Sequence, residues 1–326
     1  MSRSRAEFNT QHLRSFRQRL LRWFDREQRK LPWRGEVDPY RILVSEIMLQ
    51  QTRVAVVEER YKQFLRQFPT VQKLARAREQ TVLAAWSGLG YYRRARALHA
   101  AAKKVAANGG FPANAALLQQ LPGVGRYTAA AVASIAYEEA VPVVDGNVKR
   151  LLERITGRRL SDEENWRIAG ELLQRLRPGD FNQAMMELGA VICVPGEPRC
   201  DRCPVVALCA RRGVAATRKS VRRRKGVLRY TLAMKHGRVL LQQRPRDASL
   251  MAGMWELPEL AGSPADVQAI AELRHSITTT DYKVLVYAAG DVGRDGKWVP
   301  LNKVDRVALT GLAKKILRRI GSIGSS

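Results

Sequence analysis

The sequence contains no run of about 18 consecutive apolar residues, the length an α-helix needs to cross a bilayer, so it offers no candidate membrane span. No apolar signal core follows the basic start at Met1–Arg5, because the residues from Ala6 onward are polar. A cytosolic location is expected, at the nucleoid in a bacterial cell, and no membrane partner. Cysteine is scarce: there are four, all between Cys193 and Cys209. A disulfide framework spread through the fold is thereby excluded. In a reducing compartment, four thiols in so short a window point to metal or cluster ligation. No fixed-period repeat is present, which argues against a solenoid. Negative charge is the other shortage, with 30 Asp and Glu against 57 Lys and Arg, a formal net charge of +27. Such an excess calls for a polyanionic partner, most commonly nucleic acid, although a merely solubilising basic surface is the plainer alternative.

The rest of the composition is that of an ordinary globular protein, with 45% hydrophobic and 27% charged residues. The length of 326 residues suggests two domains. From about Gln11 to Leu208 the apolar spacing is helical. Leu13, Phe16, Leu20, Leu21 and Phe24 mark the first helix, and one continuous helical segment is expected from Tyr40 to about Phe68, before Pro69. Further helices are expected over 71–86, 91–107, 114–120, 127–138, 147–156, 162–176 and 180–192. Residues 211–226 are basic and without apolar pattern, a linker that is idle or lies along phosphates. Beyond it, Val227–Lys235, Val239–Gln243, Thr278–Tyr287 and Trp298–Leu301 read as strands, and Leu309–Ile320 as an amphipathic helix. The expected organisation is a helical domain over 1–210, the linker, and an α+β domain over 227–326.

Several local patterns carry chemistry. In Leu121-Pro122-Gly123-Val124-Gly125-Arg126-Tyr127 two glycines allow a tight turn, and the following helix start presents N–H groups. Alone this is either a plain glycine turn or a clasp for one phosphate; the net charge favours the clasp. Glu46 sits among Ile42, Leu43, Leu49 and Gln50 on neighbouring helical turns, so desolvation should raise its pKa toward that of a general acid. A solvated helix glutamate is the simpler reading. Asp145, between Val144 and Gly146-Asn147-Val148, suits an N-cap, which also holds a carboxylate ionised and in place. Two carboxylates in contrasting settings are what glycosidic cleavage requires. The spacing Cys193-x6-Cys200-x2-Cys203-x5-Cys209 suits a [4Fe–4S] cluster or tetrahedral zinc, and a single compact loop favours iron–sulfur.

Taken together these motifs resemble the helix-hairpin-helix DNA glycosylases and, within them, the MutY-type adenine DNA glycosylase family. The resemblance covers essentially the whole chain: Leu31-Pro32-Trp33-Arg34, the Glu46 segment, Gly88-Leu89-Gly90-Tyr91-Tyr92, the hairpin, Val144–Val148, and Met186-Glu187-Leu188-Gly189-Ala190 leading into the cysteines. The fold it implies is mainly α, a helix-hairpin-helix glycosylase domain with an iron–sulfur loop, followed by a C-terminal α+β Nudix-like domain. It implies a [4Fe–4S] cluster on Cys193, Cys200, Cys203 and Cys209, and a monomer acting on double-stranded DNA that contains adenine mispairs. It also implies excision of adenine opposite 8-oxoguanine or guanine, leaving an abasic site. Protonated Glu46 would donate to N7 of a flipped adenine and then activate water. Asp145 would stabilise the sugar cation by charge or by a transient covalent bond, with Tyr127 and Asn147 in support. Gln51 and one of Tyr91 and Tyr92 would wedge into the stack, Arg34 and Leu49 would pack near the base, and Gly123, Gly125 and Arg199 would grip phosphates.

Endonuclease III-type relatives carry a hairpin lysine for imine chemistry where this chain has Tyr127, and Gln where it has Glu46. That argues against a bifunctional glycosylase/lyase. Retention of both carboxylates argues against a non-catalytic iron–sulfur DNA-binding protein. The C-terminal segment lacks a catalytic Nudix box and is expected to recognise 8-oxoguanine. The family does so through a Phe-Ser-His loop, which here reads Ile277-Thr278-Thr279. Thr278 keeps a hydroxyl, but neither stacking nor a charge-capable donor can come from Ile and Thr.

Overall fold

The computed structural model describes residues 8–211, 223–262, 267–288 and 296–321. Most of the basic linker expected from the sequence lies outside the described residues. In chain order the described elements are α1 (Thr10–Glu27), α2 (Pro39–Leu49), α3 (Val54–Gln67), α4 (Val71–Ala75), α5 (Glu79–Ala85) and α6 (Arg93–Ala107). They continue with α7 (Ala115–Leu118), α8 (Arg126–Ala136), α9 (Gly146–Thr156), α10 (Asp162–Leu172) and α11 (Pro178–Val191). Then follow β1 (Arg224–Leu232), β2 (Met234–Lys235), β3 (Arg238–Gln243), β4 (Trp255–Glu256), β5 (Ala271–Ile277), β6 (Thr280–Ala288), β7 (Lys297–Pro300) and α12 (Gly311–Arg319). The fold is mainly α with a C-terminal α+β region. Among the described residues no helix is long and apolar enough to cross a membrane.

The chain divides into two compact units, one of Met1–Leu65, Thr70–Gln72 and Ala100–Lys219, the other of Arg66–Pro69, Lys73–His99 and Ser220–Ser326. The first is helical. One of its cores packs the α1 face of Phe16, Leu20, Leu21 and Phe24 against Leu151, Leu152 and Ile155 of α9 and Phe181 and Leu188 of α11. Local chemistry sets the helix ends. Asn9 caps α1 by accepting from His12 N–H, and Asp38 caps α2 ahead of Pro39 at its first turn. Ser161 and Glu164 form a reciprocal capping box on α10, and Gly157 ends α9 in the left-handed region. In the second unit, β1 lies parallel and β5 antiparallel to the central β6. A second sheet, of four short strands, pairs β3 with β2, β4 and β7. Val284, Val286, Leu312 and Ile316 are among the residues that join the first sheet to α12 in one core.

Several expectations change, among them the helix expected over 71–86, which is two, α4 and α5. The single helix from Tyr40 to Phe68 is two, α2 and α3, because Gln51 adopts φ +55° and ends the first. The strand expected from Thr278 starts at Thr280 and pairs with β5, which the sequence does not announce, since only Leu273 of β5 is buried. Thr278 is instead part of the turn of this hairpin and sits at φ +50°.

Candidate active site

Helix α2 is buried at Tyr40 and from Ile42 to Met48, Glu46 included, so the carboxylate at position 46 is carried by a core helix and not by a solvated one. Only 5% of Glu46 is exposed. The Tyr127 hydroxyl, at the start of α8, donates to Glu46 Oε2 across 2.6 Å and also lies 3.3 Å from the Met186 sulfur. Burial pushes the Glu46 carboxyl up to about 6, against the Tyr127 hydrogen bond; the Asp145 charge adds to the rise and the Arg34 charge opposes it.

Asp145 is the N-cap of α9, as its sequence context predicts. Its Oδ1 accepts from the backbone N–H of Asn147 (2.9 Å) and of Val148 (2.7 Å), and its Oδ2 accepts from Asn147 Nδ2 at 2.9 Å. Burial raises its pKa too, while these donors and Arg150 oppose the rise. The contrast between the two carboxylates therefore lies in their donors: three for Asp145, one hydroxyl for Glu46. Asn147 is itself held, its Oδ1 accepting from Arg150 Nη2 at 2.9 Å.

One pocket of about 580 Å³ brings together Arg34, Glu46, Leu49, Gln51, Tyr127, Asp145 and Asn147. The sequence reading missed its other wall. There Glu187 is 2% exposed and accepts from Arg29 Nε (2.6 Å), Arg29 Nη2 (2.9 Å) and Arg34 Nη2 (2.6 Å). Arg34 Nη1 donates in addition to Gln183 Oε1. Burial pushes Glu187 up, but the Arg29 hydrogen bonds and the two guanidinium charges outweigh it and hold the carboxylate below its ordinary range. The signal available in the sequence was the i, i+4 spacing of Gln183 and Glu187 on one helix.

The remaining predicted residues lie elsewhere. The hairpin precedes α8, with Gly123 at φ +73° and Gly125 as an N-cap that supplies no side-chain hydrogen bond. A Cβ on Gly125 would meet nothing within 4 Å, which leaves the helix start open to a ligand. Arg199 is exposed beside Cys200. Tyr91 is 53% exposed at φ +47°, whereas Tyr92 is 4% exposed and donates its hydroxyl to the Leu309 carbonyl. Tyr92 is therefore corrected from a candidate DNA contact to a core residue: it leads a buried face with Ala95, His99 and Ala102. Thr278 is exposed at its hairpin tip.

The four cysteines are not joined in disulfides and border one cavity, Cys193 buried and the others half-buried. Among the described residues no three of His, Cys, Asp and Glu meet closely enough to form a single-ion centre. Burial pushes the Cys203 thiol up to about 11 and raises Cys209, which disfavours the thiolate form of these two. Soft sulfur donors bordering one cavity fit an iron–sulfur group by donor type. Two arginines of α9, which the sequence reading passed over, reach this loop. Arg154 Nη1 donates to Cys193 Sγ (3.1 Å) and to the Val194 carbonyl (2.9 Å). Arg150 donates to the carbonyls of Cys193 (2.8 Å) and Gly189 (2.6 Å) while holding Asn147. A continuous set of hydrogen bonds thus runs from Asp145 through Asn147 and Arg150 to the cysteine loop.

A family described as HhH-GPD superfamily base excision DNA repair protein matches residues 44–175. The adenine DNA glycosylase of Mus musculus is 38% identical over 318 residues, 77% of this chain and 62% of the mouse protein. That of Rattus norvegicus is 47% identical over 212 residues, 60% of this chain and 41% of the rat protein. That of Mycobacterium tuberculosis is 43% identical over 195 residues, 57% of this chain and 64% of the relative. The chain thus spans less than two thirds of the length of these relatives. A thermostable thymine-DNA glycosylase superposes with a TM-score of 0.58 at 29% identity, over 61% of this chain and 96% of that one. An endonuclease III in a non-covalent DNA complex superposes with a TM-score of 0.54 at 22% identity, over 62% and 96%, a likeness of fold alone.

Proposed function

We propose, from the match of residues 44–175 to the HhH-GPD superfamily of base excision DNA repair proteins and the 38% identity to a mouse adenine DNA glycosylase, that this chain is a monofunctional adenine glycosylase. It hydrolyses the bond between adenine and deoxyribose where adenine is mispaired with 8-oxoguanine or guanine in duplex DNA, and leaves an abasic site. One observation carries the reading: a buried Glu46–Tyr127 pair shares a base-sized pocket with a capped Asp145.

The chemistry follows from the residues. The target adenine leaves the stack, because its glycosidic bond is unreachable within the duplex. Glu46, with its pKa raised to about 6, carries a proton more readily than an exposed glutamate and donates it to N7 of adenine. The C1′–N9 bond breaks and its electron pair departs with the neutralised base. Asp145 places negative charge against the sugar cation, either as a through-space stabiliser or as a transient covalent partner. Water then bonds to C1′, and its proton passes to the Glu46 carboxylate. Arg34 and Gln183 border the same pocket and supply polar groups for the base edge. No step uses an amine, since Tyr127 stands where lyase relatives carry their lysine.

Cys193, Cys200, Cys203 and Cys209 are proposed to hold a [4Fe–4S] cluster, which when bound staples the loop that carries Arg199. Residues 227–326 are proposed to act as a Nudix-like recognition module, with Ile277, Thr278 and Thr279 directed at the base opposite adenine. The protein is proposed to act as a cytosolic monomer, with its net charge of +27 and the linker 211–226 serving DNA affinity.

The test is single-turnover excision on duplexes pairing adenine with 8-oxoguanine, guanine or cytosine, run in parallel with borohydride trapping. Release from the first two without a trapped adduct is expected. Efficient trapping would make the protein a lyase. Binding without release on all three would make it a non-catalytic DNA-binding protein.

A further inference from the structure

The segment from Trp86 to Tyr91 holds its shape against local preference. Gly88 (φ +95°), Gly90 (φ +66°) and Tyr91 (φ +47°) all lie in the left-handed region. The glycines accept this freely, but a tyrosine resists it because of its Cβ. The Tyr91 ring is also largely exposed, so apolar burial does not compensate for the strained backbone. Something else must fix it.

Arg94 is the residue placed to do so. Its Nη2 donates to the Leu89 carbonyl at 2.9 Å and to the Gly90 carbonyl at 3.2 Å. Its guanidinium carbon lies 5.6 Å from the ring centroid of the buried Trp86 and 5.4 Å from that of Tyr91. Trp86 Nε1 donates to the same Gly90 carbonyl at 3.1 Å, and the Arg94 backbone N–H closes on the Tyr91 carbonyl at 2.9 Å. One planar cation therefore braces the loop backbone and one face of the exposed ring at the same time. Burial lowers the guanidinium to about 10, which leaves it cationic at neutral pH. A lysine could supply the charge but not the flat fork that stacks and donates together.

We propose that Arg94 is a positioning residue for duplex distortion: clasped between the Trp86 and Tyr91 rings and bonded to the loop between them, it keeps Tyr91 erect as the wedge that unstacks the target base. This rests on the glycosylase reading above. An aromatic wedge works only if it is stiff, since a ring that folds back onto the protein leaves the stack closed. The demand on the wedge is greatest when the adenine is well stacked and paired, and least when it is already loose.

The experiment compares wild type, Arg94→Met, Arg94→Lys, Tyr91→Ser and the Arg94→Met/Tyr91→Ser double variant. Two duplexes are used, one with adenine paired to 8-oxoguanine and one with adenine opposite an abasic site. Arg94→Met should release adenine from the paired duplex about 10- to 100-fold more slowly, but lose less than about threefold on the loosened one. Emission of 2-aminopurine beside the mispair should rise on binding wild type and rise much less with Arg94→Met. Arg94→Lys should fall between the two, and the double variant should be little worse than Tyr91→Ser alone. Equal losses on both duplexes, additive losses in the double variant, or an unchanged 2-aminopurine response would overturn the proposal. If Arg94→Met fails to fold, Arg94→Lys carries the same comparison. A wild type that releases no adenine would instead overturn the glycosylase reading, while the 2-aminopurine response would still decide the role of Arg94.

Discussion

A Cβ placed on Gly189 would lie 2.7 Å from the Cβ of Asn147 and 2.9 Å from its carbonyl oxygen, so α11 and α9 meet through a contact open to glycine alone. That contact sets how closely Asn147, and with it Asp145, approaches the wall of the pocket carried by α11. Gly189→Ala must push the helices apart. We expect a loss of about 1–3 kcal/mol in stability, as for other overpacked cores, together with slower adenine release. Thermal unfolding and single-turnover kinetics would check both; wild-type values would mean that the two helices yield without consequence.

Glu46 should weaken the fold at the pH where it works. In the unfolded chain its carboxyl titrates near 4.5, in the folded protein near 6. The native state therefore binds the proton more tightly. The stability this supplies is complete below about 4.5 and is lost as pH rises through about 6. Above that window Glu46→Gln should be the more stable protein, by up to about 2 kcal/mol, and the difference should vanish in acid. The same variant should bind DNA yet release adenine roughly 10²–10⁴-fold more slowly. For wild type, kcat/KM should fall as pH rises through about 6, since the protonated form is the one that donates. Wild-type excision by Glu46→Gln would remove it from the role of acid.

Asp145 combines a cap with a charge, and two substitutions separate them. Asn caps as well as Asp, so Asp145→Asn should stay within about 0.5 kcal/mol of wild-type stability while losing at least about 10² in rate through the missing charge. Asp145→Ala should lose the rate and a further ~1 kcal/mol of stability. A stable, fully active Asp145→Asn would show that the carboxylate is only a cap.

Arg150 joins Asn147 to the cysteine loop, so its loss should slow chemistry without removing any group from the pocket. Arg150→Met is expected to lower adenine release about tenfold while iron content and the visible charge-transfer absorbance of the purified protein persist. Loss of colour with loss of rate would instead place its effect on the loop. Cys200→Ser should reduce that absorbance, thermal stability and DNA affinity together.

The turn at Thr278 offers a fifth measurement. A β-branched residue at φ +50° is strained, so Thr278→Gly should stabilise the hairpin by about 1 kcal/mol. Thr279→His restores a charge-capable donor at the tip, and we expect it to raise the preference for 8-oxoguanine over guanine opposite adenine. An unchanged ratio of the two rates would detach this turn from lesion recognition.

Much of this was legible in the sequence because the signals were local. Asp145 before a helix, paired glycines before Arg126, and the cysteine window each depend on neighbours a few residues away. Glu46 was singled out by its apolar surroundings, but its partner Tyr127, 81 positions on, came into view only through family resemblance. The Glu187 wall was harder still, since its arginines lie 153 and 158 positions away, and charge pairing over such distances leaves no periodic trace. The choice between Tyr91 and Tyr92 was readable in principle. Tyr92 is in phase with Ala95, His99 and Ala102, and Tyr91 is not. Strand β5 stayed hidden because one buried residue makes no alternation.

The break that ends α2 sets a ruler. Glu46 and Gln51 border one pocket, and only the last turn of a buried helix separates them, Gln51 itself being the left-handed residue. Each helical residue advances the chain by about 100° and about 1.5 Å. One residue inserted or deleted between positions 46 and 51 would swing the proton donor away from the group beside it, whatever the quality of either side chain. The interval between them is therefore as much a part of the machinery as the residues themselves, and length variation there should be tolerated far less than substitution.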